Sequence, residues 1–180
     1  MFKENRIIGI LGGGQLGKMV LDVANKWGLQ IYILDSNENC PASKLCSKFF
    51  QGDLMDFDTV VNFGKVVDIL TIEIENVNVE ALKFLELNGL EVLPQSKVIE
   101  IIQDKSLQKE FYYNNQIPTS SYRILKGKNE LKESVSKGEI SLPFIWKASR
   151  MGYDGFGVNK ISNNKDCLLY TSPSPRDYGT

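Results

Sequence analysis

The sequence predicts an α/β protein: a doubly wound parallel sheet followed by the beginning of a second, α+β domain. Three observations carry this expectation. Short apolar runs alternate along the first half with segments whose apolar residues recur at helical spacing. The runs are apolar nearly throughout instead of alternating, as strands covered on both faces are. The alternation then stops near Pro94, where the texture of the chain changes.

Residues 6–11 form the first compact apolar run and end in glycines, which predicts a buried strand followed directly by a helix. In that helix Leu16, Met19, Val20, Val23, Ala24 and Trp27 recur at helical spacing, and Gly28 is placed to end it. A second strand follows over residues 30–35. The pattern continues with a helix over 56–65, a strand over 67–73, a helix over 79–88 and a short strand over 91–93. Repeated strand–helix units imply right-handed crossovers in one parallel sheet. After Pro94 two short helical stretches, 97–102 and 105–115, precede an extended segment over 117–125 that opens Ile-Pro-Thr. A polar helix over 130–136, a strand over 142–148, a glycine-rich loop and a strand over 158–161 complete the reading. The expected organisation is one domain over 1–95 and the start of a second over 96–165. Residues 166–180 hold two Ser-Pro pairs and no periodicity, so they are expected to be unstructured. Their wording also resembles translated sequencing-adapter read-through, and no function is assigned to them.

Composition narrows the chemistry. With 42% apolar and 24% charged residues, a chain of 180 residues can bury one core and part of another. Its 21 basic residues against 22 acidic ones give no electrostatic reason to expect nucleic acid or an anionic membrane as partner. Histidine is absent, which removes imidazole general bases, imidazole-based triads and most zinc sites. Cys40, Cys46 and Cys167 are odd in number and lack a C-x-x-C spacing, so neither a disulfide framework nor a metal knuckle is indicated. A reducing cytoplasm fits, and no stretch reaches membrane-spanning length or reads as a signal h-region. Chemistry must therefore run on carboxylates, lysines and backbone amides acting on small molecules.

Gly12, Gly14 and Gly17 satisfy G-x-G-x-x-G between a strand and a helix, and Asp35 closes the second strand about where a ribose-binding acid would sit. Dinucleotide binding is one reading of this loop. The physics is more general, because such glycines expose amides at a helix N-terminus where any phosphate or carboxylate is favoured. Close strand-to-helix packing alone is a third reading. A second candidate anion site follows later. Lys147 ends an apolar strand, and Gly152, Gly155 and Gly157 fall within the next ten residues, a pattern that can fold amides over phosphate oxygens. No G-x-x-x-x-G-K-[ST] motif occurs, and a plain hairpin with a glycine-rich turn is the alternative.

Five motifs stand in order: GGGQLG at 12–17, TIEIENV at 71–77, QDKSLQK at 103–109, IPT at 117–119 and WKASRMGYDGFGV at 146–158. Together they resemble the N5-carboxyaminoimidazole ribonucleotide synthetase family of the ATP-grasp superfamily. The resemblance spans about residues 6–161 and implies a Rossmann-like pre-ATP-grasp domain followed by the start of an ATP-grasp domain. It further implies that Gly152, Tyr153, Asp154, Gly155, Phe156, Gly157 and Val158 close over the phosphates of ATP. Lys147 matches the strand lysine that contacts those phosphates, and Lys105 matches a second basic residue touching the nucleotide. Either lysine could instead be an ordinary surface residue.

By the same resemblance the first domain holds the ribonucleotide near Gly14, Gln15 and Leu16. Glu73 sits at the strand end where open α/β sheets place ligand contacts. Glu75 is a weaker candidate, reached by the alternation of strand side chains, and both acids could simply solvate the strand end. The implied reaction activates bicarbonate with ATP and carboxylates 5-aminoimidazole ribonucleotide, with magnesium on the ATP phosphates. The acidic metal ligands and the catalytic residues of this superfamily come later in the sequence than residue 180. The chain is therefore expected to be an N-terminal portion that does not turn over alone, and a homodimer when full length. The competing readings are a formate-dependent glycinamide ribonucleotide transformylase, a biotin carboxylase subunit, an NAD-dependent oxidoreductase and a non-catalytic nucleotide-binding fragment.

Overall fold

The apolar run at the start of the chain becomes strand β1 (Ile7–Leu11), and its side chains divide between two layers. Ile10 packs with Leu21 and Ala24 of helix α1 (Gln15–Ala24) and with Ile31 and Ile33 of β2 (Gln30–Asp35). Leu11 joins Leu34 in the opposite layer, which includes Val60, Val61 and Phe63 of α2 (Phe57–Gly64) and Leu82 and Leu85 of α3 (Val79–Leu87). Alternate residues thus enter cores on opposite faces, which is why the runs are apolar throughout. Truncating one of the fully buried leucines would cost about 2–5 kcal/mol. The computed structural model describes residues 6–150, 157–163 and 166.

All pairings in the main sheet are parallel, with strand order β3-β2-β1-β4-β5, where β3 is Lys48–Gln51, β4 is Ile69–Ile72 and β5 is Glu91–Leu93. This is the doubly wound sheet expected from the sequence. The chain runs outward on one side of β1 and then returns to the other side, so the order reverses between β1 and β4. Strand β3 is an element the sequence reading did not include. Its four residues, KFFQ, are only half apolar, and they lie at the sheet edge beside β2.

Helix ends follow local chemistry. Asp56 caps α2 by accepting from the Thr59 amide at 2.7 Å, and Asn78 caps α3 by accepting from Ala81 at 2.9 Å. Helix α1 passes into a 3-10 turn, Asn25–Trp27, and stops at Gly28, whose φ of 67° suits a residue without a Cβ. The apolar stripe read along α1 does not face the core. Leu16, Met19, Val20, Val23 and Trp27 are exposed, and the helix docks through Gly17, Leu21 and Ala24. The exposed side chains, with Leu29, line an apolar groove of about 500 Å³.

Two compact units divide at Gln103/Asp104. Helix α4 (Ser96–Gln103) belongs to the first, beyond the boundary drawn from the sequence at residue 95, because Ile99 packs into the α2/α3 core. Ser96, its first residue, bonds the Glu86 carboxylate through both its amide and its hydroxyl. The second unit opens with α5 (Lys105–Asn114) and α6 (Lys128–Ser136), followed by an antiparallel pair, β6 (Phe144–Lys147) and β7 (Val158–Ile161). Leu131 and Ile161 centre a small core, with Phe144 and Trp146 against it. Asp166, the one described residue of the expected unstructured tail, exchanges hydrogen bonds with the 162–163 turn. Residues 167–180, Cys167 included, lie outside the described residues.

Candidate functional site

In the first unit the glycine loop leaves β1 at its carboxyl end and enters α1, next to the end of β4. That is the point where the strand order reverses, and open α/β sheets bind ligands there. Glu73, immediately after β4, donates its amide to the Leu11 carbonyl at 2.8 Å, which fixes its backbone against the loop. Its carboxylate turns into the loop and accepts a long hydrogen bond, 3.4 Å, from the Gly17 amide. A Cβ on either Gly12 or Gly14 would stand 2.7 Å from a Glu73 carboxylate oxygen, so two of the three motif glycines make room for this acid. Gly12 also has φ +98°.

The structure therefore brings Gly14, Gln15, Leu16 and Glu73 together. Gln15 and Leu16, the first residues of α1, are exposed, and Leu16 is 62% accessible. Glu75 is placed differently from the expectation. Strand β4 ends at Ile72, and Glu73 to Glu75 lie in a bend, so strand alternation does not carry the face of Glu73 to Glu75. The Glu75 side chain is exposed, and its carbonyl accepts from Gln103 Nε2 at 2.7 Å.

Asp35, which the dinucleotide reading would aim at a ribose, is turned inward. Its Oδ2 accepts from the Gly13 amide at 2.7 Å and its Oδ1 from the Asn37 amide at 2.8 Å. Both oxygens are engaged in holding the backbone. Cys40 is buried beside Gly13, and burial first, then the Asp35 charge, push its thiol pKa up, which disfavours the thiolate.

In the second unit Lys147 ends β6, on the same exposed face as Ile145, while Phe144 and Trp146 turn toward the small core. Its side chain is exposed. Val158 stands opposite it in the β6/β7 register, and the Ala148 amide donates to the Gly157 carbonyl at 2.8 Å. Lys105, the first residue of α5, donates its amide to Ser149 O at 2.8 Å. Lys105, Lys147, Gly157 and Val158 thus belong to one backbone neighbourhood. Gly152, Tyr153, Asp154, Gly155 and Phe156 lie outside the described residues.

Three polar residues around these sites went unread in the sequence. Gln103 Nε2 donates to the carbonyls of Glu75 and Val77, each at 2.7 Å. Asp104 caps α5 and accepts from Arg150 Nε at 2.8 Å. The available signal was Asp104 itself, an N-cap residue type directly before a helical stretch. Among the described residues no group of three acids or cysteines could hold a metal ion, and no helix is long and apolar enough to cross a membrane.

Comparison with known proteins gives a consistent set of relatives. Residues 5–103 match the family described as the ribonucleotide synthetase preATP-grasp domain. The chain is 35% identical over 162 residues to a chloroplastic phosphoribosylaminoimidazole carboxylase of Vigna aconitifolia, covering 90% of this chain and 28% of that protein. It is 32% identical over 165 residues to the N5-carboxyaminoimidazole ribonucleotide synthase of Staphylococcus epidermidis, covering 91% of this chain and 43% of that one. Among solved structures, the N5-carboxyaminoimidazole ribonucleotide synthetase of Thermotoga maritima superposes with a TM-score of 0.80 at 33% identity, over 92% of this chain and 43% of that one. The Aspergillus clavatus enzyme in complex with ADP and 5-aminoimidazole ribonucleotide gives 0.82 at 27% identity, over 93% of this chain and 43% of that one. The chain therefore spans less than half the length of these relatives.

Proposed function

Since the chain belongs to the ribonucleotide synthetase preATP-grasp domain family, we propose that it serves the ATP-dependent carboxylation of 5-aminoimidazole ribonucleotide in purine biosynthesis, the work of a carbon–nitrogen ligase. One observation carries the reading: the glycine loop at the N-terminus of α1 and the Glu73 carboxylate meet at the switch point of the sheet. The two groups have opposite preferences. The amides favour a phosphate, and the carboxylate favours ribose hydroxyls or an amine, so the pair suits a ribonucleotide better than a simple anion. The relative solved with ADP and 5-aminoimidazole ribonucleotide bears those two ligands, which supports the same division of labour here.

In this reading the first unit takes the ribonucleotide through Gly14, Gln15, Leu16 and Glu73, with Glu75 secondary. The second takes ATP through Lys105, Lys147 and the loop from Gly152 to Val158. Bicarbonate oxygen attacks the γ-phosphorus, ADP leaves, and the exocyclic amine then attacks the carboxyphosphate carbon with loss of phosphate. Lysines and amides neutralise the phosphate charge, and the protein otherwise positions reactants. Magnesium would arrive with ATP. The described residues hold no ligand cluster for it, and we assign none of them to it. A cytoplasmic homodimer, like the ribonucleotide site, belongs to this proposal.

The test is calorimetric titration of the chain with 5-aminoimidazole ribonucleotide, with MgATP and with NADH. Binding of the first that falls at least tenfold in Glu73→Gln, binding of the second that falls in Lys147→Ala, and no NADH signal are the expected results. NADH binding that is indifferent to Lys147 would mean the first loop serves a dinucleotide, and the ligase reading would be abandoned.

A further inference from the structure

We propose that Asp104 is a positioning residue which, through Arg150, holds the segment following Lys147 on the first turn of α5 and so sets the spacing of Lys105 and Lys147. The inference rests on the assignment of those two lysines to the nucleotide. Its basis is a division of labour between the two Asp104 oxygens. Oδ1 accepts from the amides of Ser106 at 2.9 Å and Leu107 at 3.4 Å, which completes the cap of α5. Oδ2 is not needed for the cap and takes Arg150 Nε at 2.8 Å. Arg150 is no part of that helix. It lies three residues after Lys147, in the turn leaving β6.

Two further bonds join the same short segments. The Lys105 amide donates to Ser149 O at 2.8 Å, and the Ser106 and Ser149 hydroxyls are 2.8 Å apart. Residues 104–106 and 149–150 are thereby joined by an ion pair, a backbone bond and a hydroxyl bond. A lone surface ion pair would count for little. Here the Asp104 side chain is only 14% exposed, and two neutral bonds already align the partners, so the charge-assisted bond adds direction to a preformed contact. The two lysines sit at the edges of this clasp: Lys105 is inside it, and Lys147 is two residues before Ser149. Phosphate binding by two separate cations depends on their spacing, and small misplacements of such groups cost large factors.

Asp104→Asn separates the two jobs. Asparagine caps a helix as well as aspartate does, but its amide nitrogen cannot accept from Arg150. Expected are a thermal midpoint lowered no further than in Arg150→Ala, MgATP affinity weaker by on the order of tenfold, and unaltered adenosine binding, since adenosine has no phosphate. Arg150→Ala should lose the same factor and the double variant no more, while Arg150→Lys should recover part of it. Equal MgATP affinity in wild type and Asp104→Asn would overturn the proposal, as would an equal loss of adenosine binding. If the wild-type chain binds no MgATP, the nucleotide reading falls separately. Trypsin cleavage after Arg150, followed by mass spectrometry, then decides the clasp: slower cutting in wild type than in Asp104→Asn upholds it, and equal rates sink it.

Discussion

Asp35 holds the glycine loop from beneath, its Oδ2 bonded to the Gly13 amide at 2.7 Å. Gly13 is buried, so its N–H has no recourse to water once that acceptor is lost. Asp35→Ala should therefore destabilise the chain by about 1–3 kcal/mol, the cost of an orphaned buried donor. Asp35→Asn, which keeps an acceptor oxygen, should cost less. Urea denaturation midpoints of the two variants check this. A dinucleotide-binding role would instead leave stability nearly untouched and change NADH affinity.

Gly12 and Gly14 are distinguishable by substitution. At Gly14 the backbone is ordinary, with φ −71°, and an added methyl meets only the end of the Glu73 side chain. Glu73 can swing away, so Gly14→Ala should cost little stability but weaken ribonucleotide binding by roughly tenfold. At Gly12 the positive φ adds backbone strain of about 1–3 kcal/mol, so Gly12→Ala should impair both. Melting temperature and calorimetric affinity, measured on both variants, separate the two outcomes.

The parallel sheet was legible because nearly every strand carries its own apolar run and each run is followed by a helical period. Strand β3 was not, since Lys48 and Gln51 flank only two phenylalanines at a sheet edge, where half the usual apolar signal is required. What lies against the α1 stripe was not legible for a related reason. Periodicity reports that a face is apolar and says nothing of what covers it, and Gly17, the residue through which α1 approaches the sheet, contributes no hydrophobicity at all. Of the site, Glu73 was readable from its place at a strand end. Asp35 stayed between readings because its position suits two roles, and only the direction of its side chain tells an outward ribose ligand from an inward brace. Gln103 and Arg150 act through long-range hydrogen bonds, for which sequence has no period.

Gln103 braces the bend that carries Glu73 and Glu75. Its amide donates to the carbonyls of Glu75 and Val77 and is the side-chain link between the end of α4 and that bend. Gln103→Ala should remove two hydrogen bonds of about 1 kcal/mol each. It should also weaken ribonucleotide binding while leaving MgATP binding as it was. A loss of both affinities together would mean that the substitution acts through general unfolding, a result that hydrogen exchange at the amides of residues 73–77 would reveal.

The last prediction concerns acid. Asp104 loses some carboxylate stability to burial, but the hydrogen bond from Arg150, the Ser106 and Leu107 amides and the Arg150 charge outweigh this and hold its pKa below the ordinary value. The folded state thus releases this proton more readily than the unfolded chain does. As pH falls the unfolded chain takes up the proton first, so the Asp104 contribution is fully present above the ordinary aspartate pKa of about 3.9 and is lost as pH drops through the folded value. Asp56 and Glu139 are lowered as well, by the Thr59 and Arg123 contacts, so the whole chain weakens in acid. The informative quantity is the difference between wild type and Arg150→Ala in urea midpoint at pH 7, 4 and 3. The gap should be widest at pH 7 and should close toward pH 3, because protonated Asp104 no longer attracts the guanidinium. A gap independent of pH would show that Arg150 contributes packing and no charge.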